Sequence, residues 1–389
     1  MEIAVVGGSL GGLTAACLLA DEGHDVTVYE RSPIHLEERG AGIGLLPMTS
    51  RYLRERAGVD PATIAVPTTW IRTLRRDGSV AHVARHEYVF SSWNTVYREM
   101  LRCFDADRYL LDHELVSIEP VAPRLGFANG LQVEPQLAVC ADGVRSTARA
   151  ALFPEAAAKY AGYVAWRGVV AETELSDATR AALDDAITYY VYANSHILVY
   201  PIPGRDGSVE PGERLINIVW YRNYQAGDDV DHLLLDRGGT QRDVSVPPGA
   251  LTDDHVAEGR AVAAARLPAC LSEVVHAIDQ LFIQVVFDME IDRLVVGRTA
   301  LIGDAAFSVR PHAAAGTAKA AADAWTLHEA IVSGGGDLDV ALAAWEPAQL
   351  DLGRSLLERT RAIGRRSQFD DSWVAGDPDL IFGLYAPGN

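Results

Sequence analysis

Six residues near the start of the chain limit its fold more than any other feature. Ile3–Val6 is a short apolar run that leads straight into Gly7-Gly8-Ser9-Leu10-Gly11-Gly12. The glycines let a backbone turn tightly and come close to a ligand. Leu13 to Glu22 then reads as a helix that stops at Gly23, and Asp25–Tyr29 as a second strand ending at Glu30 and Arg31. A strand, glycine turn, helix and strand in this order predict a dinucleotide site, with the pyrophosphate on the helix N-terminus around Gly7, Gly8, Ser9, Leu10, Gly11 and Gly12. Glu30 stands 23 residues after Gly7, where it can accept hydrogen bonds from an adenosine ribose, with Arg31 beside it. A carboxylate there repels a 2′-phosphate, so FAD or NAD is favoured over NADP. Ser9 replaces the second glycine of the usual G-x-G-x-x-G pattern.

Gly7, Ser9 and Gly11 also satisfy G-x-S-x-G, the nucleophile elbow of α/β-hydrolases. A nucleophile at position 9 leaves no earlier strands to build a sheet or an oxyanion loop, and it gives Glu30 no role. Hydrolysis by Ser9 is therefore the remote alternative.

The rest of the chain is consistent with an α/β protein of two domains. At 389 residues it is long enough for a sizeable core. A net charge of −19 argues against a nucleic-acid or anionic-membrane partner, since phosphates are repelled. No apolar run reaches membrane-spanning length and no secretory leader pattern opens the chain, so a cytoplasmic location is expected. The four cysteines, Cys17, Cys103, Cys140 and Cys270, form no C-x-x-C pair, and the histidines show no metal-ligand spacing, so no metal is expected. Residues 80–90 and 188–222 favour strands, with a turn at Pro203-Gly204-Arg205-Asp206-Gly207, and Asn129-Gly130 signals a hairpin. Asp253 to Ile278 carries helical periodicity, and helices are expected from Gly316 to about Gly364. These readings give a Rossmann-like nucleotide-binding domain from residues 1–70, 91–157 and 280–345. A sheet-rich substrate domain is inserted from 71–90 and 158–279, and a C-terminal helical segment covers 346–389. The cleft between the domains is the expected site.

Three downstream segments distinguish FAD from NAD. Ala141-Asp142-Gly143-Val144-Arg145-Ser146, with Arg149 beyond, resembles an ADG-x-x-S-x-x-R segment. Gly297-Arg298 through Gly303-Asp304-Ala305-Ala306 resembles a GR-x-x-L-I-GDAA segment. Gly40-Ala41-Gly42-Ile43-Gly44 is similar to a G-x-G-I loop. In order and spacing, over nearly the whole chain, these resemble the class A FAD-dependent aromatic monooxygenases of the para-hydroxybenzoate hydroxylase type. Tyr163–Gly168, Tyr200–Arg205 and Arg310–Gly316 resemble a subgroup acting on hydroxypyridines.

The resemblance implies hydroxylation of an electron-rich aromatic or N-heteroaromatic ring by way of a flavin C4a-hydroperoxide. It also implies FAD as cofactor, O2 as co-substrate and NADH or NADPH as a transient reductant; no second glycine-rich nucleotide site is visible in the sequence. A homodimer is left open. Asp304 would bind ribitol or ribose hydroxyls, Asp142 and Gly303 would also bind the cofactor, Gly42 and Ile43 would pass beside the flavin, and Arg98 in an R-x-x-L helix would contact FAD. Pro311, Gly316, Thr317 and Ala318 would bring a helix N-terminus to the flavin pyrimidine edge, where its dipole stabilises the anionic reduced ring by about 1 kcal/mol. Departures from the family pattern are Phe307 after GDAA, Ala313 for a loop glycine and Ala318 for an asparagine. For substrate, His312 is the first choice as hydrogen-bonding group or base. His196 and Tyr200, four apart on one strand, are candidates on a shared face, and Arg167 could pair with an acidic substrate or brace the domains. Tyr190, Trp220 and Tyr221 read as core or cavity wall. The alternative is the same fold doing halogenase or reductase chemistry, although the W-x-W of a halogenase is absent.

Overall fold

The computed structural model describes residues 1–37 and 41–389; Gly40, the first residue of the G-x-G-I segment, lies outside the described residues. The first sheet has six strands in the order Val295–Val296, Thr299–Leu301, Leu137–Cys140, Glu2–Val6, Asp25–Tyr29 and Tyr109–Leu110. All pairs are parallel except the edge strand Val295–Val296. Parallel strands need cover on both faces, hence their continuous apolar character. Val5, Val28, Leu137 and Val139 are fully buried, each stabilising the sheet by roughly 1.5–3 kcal/mol. The helix Leu10–Asp21 packs between this sheet and the helix Gly316–Ser333. Beside the sheet, Arg124–Phe127 and Gln132–Val133 form the hairpin expected at Asn129-Gly130, and Phe127 stacks on Tyr29 at 4.6 Å.

The second sheet has nine strands and forms the wall of the cleft. Its central strands Lys159–Ala171, Ser195–Ile202 and Leu215–Asn223 alternate with a period of two, as strands must. Trp166, Ile197, Val199, Ile218 and Trp220 point to one face, where the helices Asp253–Arg266 and Ala269–Ala277 cover them. Tyr163, Ala165, Leu198, Tyr200 and Tyr221 point to the other, towards the cleft.

Strand pairing cuts across the ranges expected from the sequence. Gly42–Gly44 and the whole of Val66–Leu74 join the second sheet through Val80–Ser92, and Phe282–Asp288 pairs with Lys159–Ala171 in register Trp166↔Ile283. Residues 42–44, 66–70 and 282–288 thus pair outside the nucleotide sheet, because long cross-strand registers override position along the chain. The helical stretch 253–278 is two helices, since Pro268 holds Leu267 in extended backbone (ψ 152°). The last long helix runs Leu338–Gln368, and beyond it the tail has only a 3-10 turn at Pro378–Leu380. Among the described residues no helix is long and apolar enough to cross a membrane.

Candidate active site

The cleft between the sheets holds two connected cavities of about 330 and 390 Å³. Ser9, Ile43, Trp93 and Arg167 line both, so they form one elongated trough. The smaller end is bordered by Gly7, Glu30, Arg31 and Asp142. Gly7 takes φ +99°, and a Cβ there would run into the carbonyl of Ala141. A Cβ on Gly12 would strike the carbonyl of Gly7. Glycine at both places lets the turn close and leaves the helix N-terminus open to the trough. Ser9 is the N-cap of that helix, yet its hydroxyl caps nothing; it remains available to a ligand. Glu30 is buried and accepts N–H bonds from Gly8 (2.8 Å) and Ser32 (2.9 Å), which fix its carboxylate at the trough edge.

Asp142 accepts from the Ala148 N–H at 3.1 Å with one oxygen, while its other oxygen is buried without a partner. Asp304 follows the strand Thr299–Leu301 and turns its carboxyl into the trough, where no described residue hydrogen-bonds to it. Although open to the trough, it is ringed by protein, and this desolvation pushes its carboxyl up to about 6 against the pull of Lys319 and Arg149. Behind it, Arg149 donates to the carbonyls of Asp304 (3.3 Å) and Ala305 (3.0 Å), tying the ADG segment to the GDAA turn. Asp323 accepts from Gly303 N–H at 2.8 Å and from buried Lys319 at 2.7 Å. The uncapped serine, orphan Asp142 oxygen and partnerless Asp304 carboxyl form a row of groups suited to phosphates and sugar hydroxyls. FAD fits this set.

The larger end is a ring-sized chamber. The helix Gly316–Ser333 opens into it with Gly316 and Thr317, after a loop in which Ala314 takes left-handed backbone (φ +51°), which costs about 1–2 kcal/mol outside glycine. His196, Tyr200 and Tyr221 reach it from the second sheet, and His312 from the Pro311 loop. Its far side is closed by Trp373 and Phe382 from the C-terminal tail. Trp373 stacks on His196 at 5.0 Å and Tyr200 on Phe90 at 4.1 Å. The tail is held by Arg359, which donates to the carbonyls of Ile381 and Gly383. Burial pushes the His196 imidazole down to about 3, holds His312 well below its ordinary value, and raises the Tyr200 phenol to about 12. All three are neutral near pH 7.

The trough therefore gathers most of the residues singled out in the sequence: Gly7, Ser9, Leu10, Gly11, Glu30, Arg31, Gly42, Ile43, Asp142, Gly303, Asp304, Pro311, Gly316 and Thr317, with His196, Tyr200 and His312 at the ring end. Four stand elsewhere. Gly8 and Gly12 shape the turn without lining it. Ala318 is fully buried in an apolar cluster behind the helix N-terminus. Arg98 lies in a separate pocket with its guanidinium on the Arg205 carbonyl at 3.3 Å. It is five residues after Trp93 in the helix Trp93–Arg102, so it points about 140° away from the trough-facing indole. Arg167 donates to the Gly42 carbonyl (2.7 Å) and to Gln284 (2.9 Å), bracing the flavin loop against the sheet. Sequence reasoning missed Trp93, Tyr189, Gln284 and Trp373. Tyr190 and Trp220, by contrast, are core.

A nucleotide trough running into an enclosed aromatic chamber defines a flavin-dependent oxidoreductase. Family models agree: residues 5–34 match an NAD(P)-binding Rossmann-like domain and residues 160–288 an FAD binding domain-like family. The chain is 36% identical, over 98% of its length and 96% of the relative's, to 2,6-dihydroxypyridine 3-monooxygenase of Paenarthrobacter nicotinovorans. The solved 2,6-dihydroxypyridine-3-hydroxylase from Arthrobacter nicotinovorans superimposes with a TM-score of 0.94 at 35% identity, covering 99% of this chain and 97% of that one. At 21% identity, Klebsiella pneumoniae HpxO complexed with FAD and uric acid shares the fold, with a TM-score of 0.74 over 97% of this chain and 90% of its own. The chain belongs to the class A FAD-dependent aromatic monooxygenases. It is an enzyme that uses FAD, with NAD(P)H as reductant.

Proposed function

We propose that the enzyme hydroxylates a carboxylate-free hydroxypyridine or closely related phenol, with Asp304, Asp142 and Glu30 holding FAD along the trough. When bound, FAD takes reducing equivalents from NADH or NADPH and activates O2 for transfer of one oxygen atom to a ring carbon. The chain's own residues supply the rest. Tyr200, Tyr221 and Trp373 clamp a flat ring in one plane, which replaces the entropy lost in a bimolecular encounter. The enclosing tail keeps water from the reacting centre. The Gly316 helix N-terminus places its partial positive charge where negative charge collects on the reduced ring. A homodimer remains compatible with this reading, as does a cytoplasmic location.

The observation that carries the substrate class is the charge of the chamber. Arg167 is the sole Lys or Arg among its described lining residues, and its two terminal nitrogens are held by neutral acceptors, the Gly42 carbonyl and Gln284, which tie the guanidinium to the loop and the sheet. A substrate carboxylate would have to be met by this single guanidinium while it also holds the Gly42 carbonyl and Gln284, an arrangement that favours a ring without one. The relative named 2,6-dihydroxypyridine 3-monooxygenase acts on such a carboxylate-free ring, while shorter matches at 29% identity over 52% of the chain are named 6-hydroxynicotinate 3-monooxygenase. Product formation should be followed with isotope-labelled O2 for 2,6-dihydroxypyridine, 2-hydroxypyridine and 6-hydroxynicotinate. Labelled product is expected from a carboxylate-free ring, with kcat/KM at least about tenfold above that for 6-hydroxynicotinate. Peroxide as the only product from every ring would refute the hydroxylation, and preference for the carboxylate would refute the substrate class.

A further inference from the structure

We propose that Tyr163 and Gln368 are positioning residues that fix His312 and His196 in opposite tautomers, so that each imidazole presents an N–H to the oxygen of the bound ring and neither removes its proton. The identity of the ligand rests on the function proposed above; the tautomers do not.

The chain of hydrogen bonds begins at a buried ion pair. Arg310 is locked to Asp288 by two bonds of 2.8 Å, and Arg361 braces the same carboxylate at 3.1 Å. Arg310 then directs its remaining terminal nitrogen to the Tyr163 hydroxyl at 3.4 Å. A hydroxyl facing a guanidinium N–H cannot point its own hydrogen the same way. The acceptor left to it is His312 Nε2, at 2.7 Å. Tyr163 therefore donates to Nε2, and a neutral His312 carries its proton on Nδ1. That nitrogen is buried with no partner in the protein, on a ring that forms part of the chamber wall. The space is reserved for this bond. Gly364 of the long C-terminal helix lies directly against it, and a Cβ there would collide with both the Tyr163 oxygen and His312 Nε2.

His196 is set by an independent arrangement on that helix. Ser367 donates its hydroxyl to the Gly364 carbonyl at 3.3 Å, so its oxygen accepts one N–H of Gln368 at 3.2 Å. The other Gln368 N–H goes to His196 Nδ1 at 3.0 Å. With the Gln368 amide in this orientation, its Oε1 left without a protein partner, the His196 proton is on Nε2. The two rings lie 5.5 Å apart, close enough for both donors to converge on one substrate oxygen.

Neither imidazole is equipped to become a cation. His312 is faced by Tyr163 and Tyr221 from the sheet, by His196, and by Arg310 in its own loop; burial, His196 and Arg310 all act against its protonation. His196 is packed against Tyr221, Trp373 and Gln368, and burial alone lowers its basicity. In each ring one nitrogen, His312 Nε2 or His196 Nδ1, is already occupied by a donor, and the other nitrogen already holds a proton. Two donors and no base make a receptor for an oxygen rich in electrons, as in a ring that enters already ionised or as its keto tautomer.

The test is a long-range proton–nitrogen spectrum of the FAD-loaded enzyme carrying nitrogen-labelled histidine, with His312→Gln and His196→Gln used to assign the two rings. The expected result is His312 protonated on Nδ1 and His196 on Nε2, with neither titrating between about pH 5 and 8. Either ring in the reverse tautomer, or His312 titrating in that window, overturns the proposal. In Tyr163→Phe, His312 should shift towards the Nε2–H form while His196 keeps its own. KM for 2,6-dihydroxypyridine should rise about tenfold with a smaller change in kcat. A His312 that keeps its tautomer without the Tyr163 hydroxyl also overturns it. The unmodified enzyme decides the question if that variant does not fold. Failure of every ring to be hydroxylated would leave the measured tautomers untouched, so the two readings fail separately.

Discussion

From the nucleotide end of the trough to the point where it enters the chamber, the lining offers backbone N–H groups and short carboxylates at the ends of strands: Gly7, Glu30 and Asp142, then Asp304. At the ring end they are large side chains from strand centres, a loop and the tail: His196, Tyr200, Tyr221, His312 and Trp373. The first end is suited to phosphates and sugar hydroxyls, whose hydrogen-bonding directions are the same in every FAD. The second is suited to the outline of one ring. Changes at the first end should therefore release the cofactor, whereas changes at the second should spare it and spoil only ring binding and coupling.

Asp304→Ala offers the strongest test of that division. It removes a carboxylate with no protein partner, so nothing in the fold is left unsatisfied, and the whole loss should fall on FAD. A charge-assisted hydrogen bond contributes about 1.5–3 kcal/mol, or roughly ten- to a hundredfold in FAD affinity. Flavin content of the purified variant and fluorescence titration of the apoprotein measure this. Full retention of flavin would show that the carboxylate is not a cofactor ligand, and the contrast between the ends would break at its best-defined point.

Trp373→Ala probes the other end. It removes the indole stacked on His196 and opens the chamber to solvent. KM for the ring should rise about tenfold, and a larger share of NAD(P)H oxidation should end as hydrogen peroxide, while flavin content stays unchanged. Peroxide yield and flavin absorbance in one preparation separate the two outcomes. Loss of FAD in this variant would mean that the tail supports the cofactor as well as the ring.

Tyr221→Phe is a milder change at the same end. It keeps the ring contacts with His196 and His312 and deletes only a hydroxyl that makes no hydrogen bond within the described protein. Stability should be nearly unchanged, and ring KM should rise by roughly two- to tenfold, the range of one neutral hydrogen bond. An unaltered KM would assign Tyr221 to shape alone.

The same contrast explains what could be read from the chain beforehand. The turn at Gly7–Gly12, Glu30 and the Gly303-Asp304 turn each depend on residues adjacent in sequence, so their patterns survive without tertiary information. The chamber does not exist until strands around Tyr163, His196 and Tyr221 pair in register and the Leu338–Gln368 helix lays Gly364 and Gln368 against them. Trp373 lies in a tail with no periodicity to mark it. His196 and Tyr200 were legible because a period of two puts residues four apart on one face. Arg98 shows the limit of a motif: its match was local, but the helix rotation that turns it out of the trough is set by the packing of Val96, Tyr97 and Met100 into the core.

A further expected effect concerns pH, and it too separates the ends. In the free protein the Asp304 carboxyl is pushed up to about 6 by its enclosure, above the ordinary aspartate value of about 3.9. Its folded-state pKa is raised, so its contribution to stability is fully present below the unfolded value and is lost as pH rises from about 4 through about 6. FAD acts in the opposite sense: cofactor hydroxyls donate to the ionised carboxylate, so the bound state favours the anion. Affinity for FAD should therefore weaken as pH falls below about 6, by up to about tenfold for one pH unit. His196 and His312, already neutral across this range, should add no limb of their own to ring binding. Titration of the apoprotein with FAD between about pH 5 and 8 should show the slope, and Asp304→Asn, which keeps the shape but cannot ionise, should flatten it. An equal slope in the asparagine variant would move the titrating group elsewhere in the trough.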